Sequence, residues 1–88
     1  MKLCRVTGTV WATVKDAGLV GGKLLVVDRV DTGENVVEAG LVAIDACGAG
    51  VGDLVVVATG SAARTTPGMA GAPVDATIVA IVDRVESR

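Results

Sequence analysis

Residues 3–14 read LCRVTGTVWATV, and their alternation decides the fold class. One set of alternate positions is small or apolar and includes Cys4 and Gly8. The other set carries Arg5, three threonines and Trp11. Alternation with many β-branched residues is typical of a half-buried strand. Gly8, inside this pattern, predicts a bulge or a sharp bend of the kind that small barrels have at their corners.

Four more strand-like segments follow this first one, each bounded by turn residues. The pattern predicts strands over residues 23–30, 41–47, 54–59 and 74–85, with turns or loops over 15–22, 31–35, 48–53 and 60–73. A single helical turn is predicted over Ser61–Thr65. Five strands in 88 residues predict one domain with an all-β fold. The expected architecture is a small five-stranded, OB-like barrel with short loops and at most one short helical turn.

The composition excludes several classes of protein. Apolar residues make up 51% of the chain, 18 residues are Val, 12 are Gly, and there is no His. Without His, the chain has no Ser-His-Asp or Cys-His machinery and no imidazole metal ligand. The apolar runs are about five residues long, against roughly 20 for a membrane span. The first residues also lack the apolar block of a signal peptide.

The distribution of apolar residues predicts an oligomer. The second, fourth and fifth predicted strands are apolar on both faces, whereas a lone barrel needs apolar residues only on its inner face. A domain of this size also buries a limited share of its surface. The outer apolar residues therefore predict contact with another copy of the chain.

Charge and aromatic content argue against nucleic-acid binding. The chain has eight Lys and Arg against ten Asp and Glu, a net charge of −2. Phosphate-backbone binding needs a positive surface, and single-strand binding by an OB fold needs several stacking aromatics. Trp11 is the only aromatic residue, and we expect it at an interface or a barrel end, partly buried. An OB-type nucleic-acid-binding module is the alternative function; a small enzyme or ligand-binding domain is a third, which a deep pocket would favour.

Two glycine-containing segments are candidate contact sites. Gly48, Gly50 and Gly52 follow a predicted strand, but their spacing is not that of a dinucleotide-binding loop, and a strand follows instead of a helix. We expect a tight turn or a backbone close to a neighbouring subunit. The second segment, GSAAR, contains Gly60, Ser61 and Arg64. Its serine lacks a base, its single Arg makes a weak anion site, and Arg64 suits an ion pair across an interface.

The acidic residues and the cysteines predict no metal or cofactor. Five aspartates, Asp28, Asp45, Asp53, Asp75 and Asp83, lie on different segments without the spacing of a calcium loop. We expect solvated turn or strand-edge charges. Cys4 and Cys47 lie in predicted strands, and we expect both to be unpaired and buried. We expect neither to be a reactive thiol, because no His or helix terminus is available to lower its pKa.

These segments together resemble a known family. The chain is similar to the pentameric shell-vertex proteins of bacterial microcompartments, the EutN/CcmL family. The resemblance runs through MKLCRVTGTVWATVK (1–15), GKLLVV (22–27), LVAIDACGAGVGDLV (41–55), GSAAR (60–64) and PVDATIVAIVD (73–83). The chain has Ala62 where the family usually has Ser, and Cys47 where it usually has Val.

The resemblance implies an OB-like barrel that assembles into a homopentamer shaped like a truncated pyramid. Such pentamers cap the vertices of a polyhedral shell, whose other subunits are hexameric and trimeric shell proteins. It implies a structural protein in the bacterial cytoplasm, in the microcompartment shell. By the same analogy, Gly48, Gly50, Gly52, Gly60, Ser61 and Arg64 are expected at the subunit interface or the central channel.

Overall fold

A computed structural model of the chain describes residues 1–11, 23–60 and 75–86. These residues contain five β-strands and no helix. The strands are β1 (Lys2–Val10), β2 (Lys23–Val30), β3 (Val36–Asp45), β4 (Leu54–Thr59) and β5 (Ala76–Ile81). The predicted all-β class is therefore confirmed. The helical turn expected over Ser61–Thr65 lies outside the described residues.

The five strands close into a barrel in the order β1-β2-β3-β5-β4. Neighbouring strands are antiparallel, except that β3 and β5 are parallel. This parallel contact, the β3–β5 seam, consists of two residue pairs, Ile44 with Thr77 and Asp45 with Ile78. The seam is the shortest joint in the described barrel, and it completes the closed architecture that the sequence predicts.

A β-bulge in β1 moves the residues after it to the opposite face of its ladder with β2. Val6 lies opposite Val27, but Gly8 lies opposite Val26, so Thr7 is an extra residue in the ladder. Paired residues of an antiparallel ladder share a face. Val27 is fully buried and Val26 is not. The bulge at Gly8 is confirmed, but the expectation that Gly8 shares a face with Cys4 along the whole strand is wrong.

The core consists of small and branched aliphatic side chains. One cluster of buried residues fills the barrel: Cys4, Val6, Leu25, Val27, Ala43, Ala49, Val55, Val57 and Ile78. Fully burying a Val, Leu or Ile side chain contributes about 1.5–3 kcal/mol. The core is therefore built without aromatic rings, and β-branched strand residues supply most of its volume.

Several strand boundaries differ from the sequence prediction. β3 begins at Val36 rather than residue 41 and ends at Asp45 rather than residue 47. Cys47 is consequently beyond the strand and exposed, so the expectation of a buried thiol there is wrong, although both cysteines are free. The prediction missed the start of β3 because its first five residues are all exposed and do not alternate. β5 is shorter than predicted and ends at Ile81.

The turn between β2 and β3 is built around Asp31. Its Oδ1 accepts hydrogen bonds from the backbone N–H groups of Gly33, at 2.9 Å, and Asn35, at 3.0 Å. The backbone N–H of Glu34 donates to the Asp31 carbonyl at 2.9 Å. Glu34 has a φ of 64°, in the left-handed region that Asn and Asp adopt more readily than Glu. The predicted turn over residues 31–35 is confirmed.

Candidate functional site

The four described residues among the six predicted contact residues lie at two separate places. Gly48, Gly50 and Gly52 lie in the turn before β4, and Gly60 lies immediately after β4. The two positions are therefore at opposite ends of a six-residue strand, about 20 Å apart at ~3.3 Å per residue. Ser61 and Arg64 lie outside the described residues. The candidate site that can be built from the described residues is the turn over residues 46–53, here called the glycine turn.

The glycine turn is closed by its own aspartate. The backbone N–H of Gly50 donates to Asp53 Oδ2 at 2.8 Å, and the N–H of Asp53 donates to the Gly50 carbonyl at 3.0 Å. Gly48 and Gly52 have φ angles of 79° and 95°, which a residue with a Cβ adopts only with strain. The expectation of a tight turn is therefore correct, and two of its glycines are required by backbone conformation.

Strands β1 and β2 hold the glycine turn against the end of the barrel. The Gly52 N–H donates to the Val6 carbonyl at 2.9 Å, and the Val6 N–H donates to the Asp53 carbonyl at 2.9 Å. Arg5 Nη1 donates to the Gly52 carbonyl at 2.8 Å and also pairs with Glu34. Arg5 and Val6 of β1 thus fix the backbone of the turn, and Lys23 of β2 adds a hydrogen bond to the Ala49 carbonyl.

Ala49 closes one end of the barrel. Its side chain is fully buried and belongs to the core cluster, although it lies in a turn. Lys23, the first residue of β2, donates from Nζ to the Ala49 carbonyl. An apolar residue between two glycines is one indication of this arrangement, but no pattern in the sequence indicates that the Ala49 side chain is fully buried. The glycine turn therefore connects β3 to β4 and also closes the end of the barrel with Ala49, here called the plug.

Gly50 differs from the other glycines of the turn. Its φ is not in the left-handed region, and a Cβ built there meets no atom of the chain within 4 Å. Neither its backbone conformation nor crowding within the barrel requires a glycine at this position. Absence of a side chain there gives open space on the outer side of the turn, which is consistent with close approach by another backbone.

Large apolar side chains are exposed on the single barrel. They are Met1, Trp11, Val36, Val37, Val42, Val51, Ile81 and Val85. Trp11 is 91% exposed, so in one barrel it is not the partly buried residue that the sequence predicts. Val51 lies in the glycine turn itself and is 66% exposed.

Two concave surfaces lie at the ends of the barrel. A cavity of about 290 Å³ is lined mainly by apolar side chains, including Cys4, Val27, Leu41 and Val57. Burial raises the pKa of the Cys4 thiol above its ordinary value, which disfavours the nucleophilic thiolate. A groove of about 470 Å³ at the other end is lined by charged side chains, among them Arg5, Glu34 and Arg84. Arg84 pairs with Glu86 at 2.9 Å.

Two features are absent from the described residues: a metal-binding cluster and a helix that could span a membrane. In residues 1–11, 23–60 and 75–86, no group of three or more Cys, Asp or Glu side chains could hold a metal ion. Over the same ranges, no helix is long and apolar enough to cross a membrane. Asp45 corrects one sequence expectation, because its side chain is only 3% exposed and pairs with Lys23 rather than with water.

The geometry defines a class of protein. The class is that of small closed β-barrels with exposed apolar residues. Backbone hydrogen bonds fix the glycine turn of this barrel, and Gly50 in that turn has open space beside it. Comparison with known proteins gives the particular family. Residues 1–83 match the family model described as ethanolamine utilisation protein EutN/carboxysome. The chain therefore belongs to the EutN/CcmL family, as the sequence resemblance indicates.

Individual relatives match over nearly the whole chain. The carboxysome shell vertex protein CcmL of Synechocystis sp. is 46% identical over 97% of this chain and 85% of its own length. The bacterial microcompartment shell vertex protein EutN of Salmonella typhimurium is 42% identical over 97% and 86%. The structure of the GrpN pentameric microcompartment shell protein from Rhodospirillum rubrum is 41% identical, covers all of both chains and has a TM-score of 0.89.

Proposed function

We propose that this chain is a structural shell protein that forms homopentamers at the vertices of a bacterial microcompartment. The observation that carries the proposal is the similarity of this chain, in sequence and in structure, to microcompartment shell vertex proteins over nearly its whole length. Relatives named as shell vertex proteins are 42–46% identical over 97% of it. A structure described as a pentameric shell protein covers every residue of it. Such a protein closes a polyhedral shell, and that closure is its function.

Pentamer formation also has a physical basis in the single barrel. A five-fold ring uses heterologous interfaces, in which one side of each barrel meets a different side of the next. The exposed apolar residues supply the surface that such interfaces bury. The open space beside Gly50 supplies a point of close backbone approach. We place Gly48, Gly50 and Gly52 at the subunit interface or central channel, together with Gly60, Ser61 and Arg64.

The partners of the pentamer are proposed to be hexameric and trimeric shell proteins. Hexagonal units tile a flat sheet, and five-fold units introduce the curvature that closes it. Each pentamer presents five identical edges, so weak contacts at each edge combine into stable seating. The proposed location is the microcompartment shell in the bacterial cytoplasm. The 88 residues are proposed to form one domain.

A non-catalytic role fits the chemistry of the described residues. The lining of the cavity is mainly apolar, and burial raises the pKa of the Cys4 thiol within it, which disfavours a nucleophilic role. The nucleic-acid alternative has no support from the barrel surface, because the net charge is −2 and the single aromatic residue makes no stacking platform.

The test is reconstitution of a shell with and without this chain. Co-expression with hexameric and trimeric shell proteins of the same microcompartment should give closed polyhedra in electron micrographs. Omission of this chain should give open, elongated or leaky shells. Sealed polyhedra in the absence of any pentameric subunit would contradict the proposed function.

The assembly state is tested separately. Five copies of 8.7 kDa give about 44 kDa for a closed ring. Native mass spectrometry at micromolar concentration should show this species. A stable monomer or dimer at that concentration would contradict the pentamer, whatever the shell experiment gives.

A further inference from the structure

Asp45 lies where three strands and the glycine turn meet. Its backbone is paired with Lys23 on β2 and with Ile78 on β5. The pair with Ile78 is one of the two that make up the β3–β5 seam. Its side chain is 3% exposed, so the carboxylate is buried next to the shortest joint in the described barrel. A buried carboxylate needs partners in fixed positions, because removing it from water is costly.

Each carboxylate oxygen of Asp45 has such a partner. Oδ1 accepts a hydrogen bond from the backbone N–H of Cys47 at 2.9 Å. Oδ2 lies 3.6 Å from Lys23 Nζ. The same Nζ donates to the Ala49 carbonyl, so one ammonium group contacts both the seam and the plug. Cys47 Sγ lies 3.5 Å from the Ile78 carbonyl and completes a ring of contacts around the end of the barrel.

We propose that Lys23 and Asp45 are positioning residues that lock the glycine turn into the end of the barrel and secure the β3–β5 seam. The mechanism follows from the burial of the carboxylate. Without the ammonium group, Asp45 recovers solvation only if the turn moves outward, and that movement withdraws Ala49 from the core. Opening of the turn and opening of the seam are then one event. This inference concerns each barrel by itself and goes beyond the proposed shell function.

The test uses Lys23→Met, which keeps the length of the side chain and removes its charge, in the full-length assembled protein. Lys23→Arg is the conservative variant that retains a cation. The matched control is Asp28→Asn, because Asp28 also accepts a backbone N–H between β2 and β3, from Gly40 at 3.0 Å, but lies away from the seam. Asp45→Asn is the complementary change, which keeps an acceptor for the Cys47 N–H.

Two measurements report local opening. Hydrogen exchange at single-residue resolution follows the N–H groups of Cys47, Gly50 and Gly52 in the turn, and that of Gly40 in the β2–β3 hairpin. Thiol labelling follows Cys4, which is fully buried and reacts only when the barrel opens. A Cys47→Ser background removes the exposed thiol, so that all label reports on Cys4.

In Lys23→Met and Asp45→Asn, the turn amides should exchange, and Cys4 should be labelled, at least about tenfold faster. Each change removes one charge from the contact between Lys23 and Asp45, and the free energy needed to open the turn locally falls accordingly. Gly40 should be unchanged. Lys23→Arg should restore slow exchange, and Asp28→Asn, which removes a charge away from the seam, should leave the turn amides and Cys4 as slow as in the wild type.

Two results would overturn the proposal. One is an unchanged exchange rate at the turn in Lys23→Met, with Cys4 still protected. The other is equal acceleration of Gly40 and the turn amides, which would mean a uniform loss of stability. Each variant is compared with the wild type at a protein concentration where native mass spectrometry shows the same assembly state, so the outcome is independent of the shell experiment.

Discussion

Gly48, Gly50 and Gly52 look alike in the sequence, but the structure separates them by backbone conformation. Gly48 and Gly52 are in the left-handed region, whereas Gly50 is not. The sequence-based interpretation could not distinguish a glycine needed for φ from one that leaves space for another molecule. That distinction allows two substitutions in one turn to be compared.

We expect Gly52→Ala to destabilise the barrel and Gly50→Ala to leave it intact. A Cβ at Gly52, with φ of 95°, should cost about 1–2 kcal/mol of unfolding free energy. Gly50→Ala should change this free energy by less than about 0.5 kcal/mol, as at other unstrained surface sites. Urea denaturation at fixed low protein concentration measures both.

The same Gly50→Ala variant should dissociate at a higher protein concentration than the wild type, because its new methyl group occupies the proposed point of subunit approach. Native mass spectrometry over a dilution series measures this. An identical dilution profile for Gly50→Ala and wild type would exclude Gly50 from the subunit contact.

Asp45 shows what sequence reasoning at the residue scale missed. Asp45 and the other four aspartates were expected to be solvated, yet its carboxylate is buried and paired with Lys23. The signal was present, since Lys23 begins one predicted strand and Asp45 lies near the end of the next. In an antiparallel pair those two positions face each other, but only a known register places them together.

At the scale of the element, the alternating pattern of residues 3–14 predicted the strand and its bulge but not the consequence of the bulge. One extra residue, Thr7, is enough to reverse the face of every position after it. The β2–β3 hairpin was predicted through its turn, whereas the exposed first half of β3 was missed. Periodicity detects a strand through one buried face, and residues 36–40 have none.

The pH dependence of the hairpin should follow Asp31. Hydrogen bonding from the Asn35 backbone N–H, with further bonds from the Asn35 side chain and Gly33, lowers the pKa of the Asp31 carboxyl below its ordinary value. A lowered folded-state pKa means that Asp31 stabilises the hairpin above the unfolded-state pKa. That stabilisation is lost as the pH falls through the folded-state pKa.

NMR titration of the Asp31 side chain should give a pKa below that of an unfolded peptide. Asp31→Ala should accelerate hydrogen exchange of Gly33 and Asn35 at neutral pH and have no further effect at a pH where Asp31 is already protonated. Asp83→Ala removes another exposed carboxylate and is the control for charge. A titration curve for Asp31 identical to that of the peptide would contradict the prediction.

At the scale of the whole molecule, the described strands make a complete barrel but leave a large apolar residue outside it. Trp11 is 91% exposed, and the chain has no other aromatic residue. The closed fold and the oligomer were both predictable from strand patterning, because apolar residues on both faces of a strand cannot all lie inside one barrel. Which of them meet across an interface depends on the geometry of the ring, which strand patterning does not specify.

Trp11 should report assembly by its own fluorescence. If subunit contact covers it, the emission maximum should move to shorter wavelength as the protein concentration rises through the assembly range, and acrylamide quenching should weaken. No other aromatic residue contributes, so the signal is specific. Equal emission maxima for the diluted and the assembled protein would place Trp11 outside the interface.

The order of strands around the barrel also has a consequence in time. β1 is made first, but one of its neighbours is β4, and Lys2 pairs with Val57. At ~5–20 residues per second, synthesis of the intervening chain takes roughly 3–10 s. During that interval β1, β2 and β3 can form a three-stranded sheet whose two outer strands lack partners. Unpaired strands bind other chains, so the nascent protein is most vulnerable to aggregation before β4 leaves the ribosome.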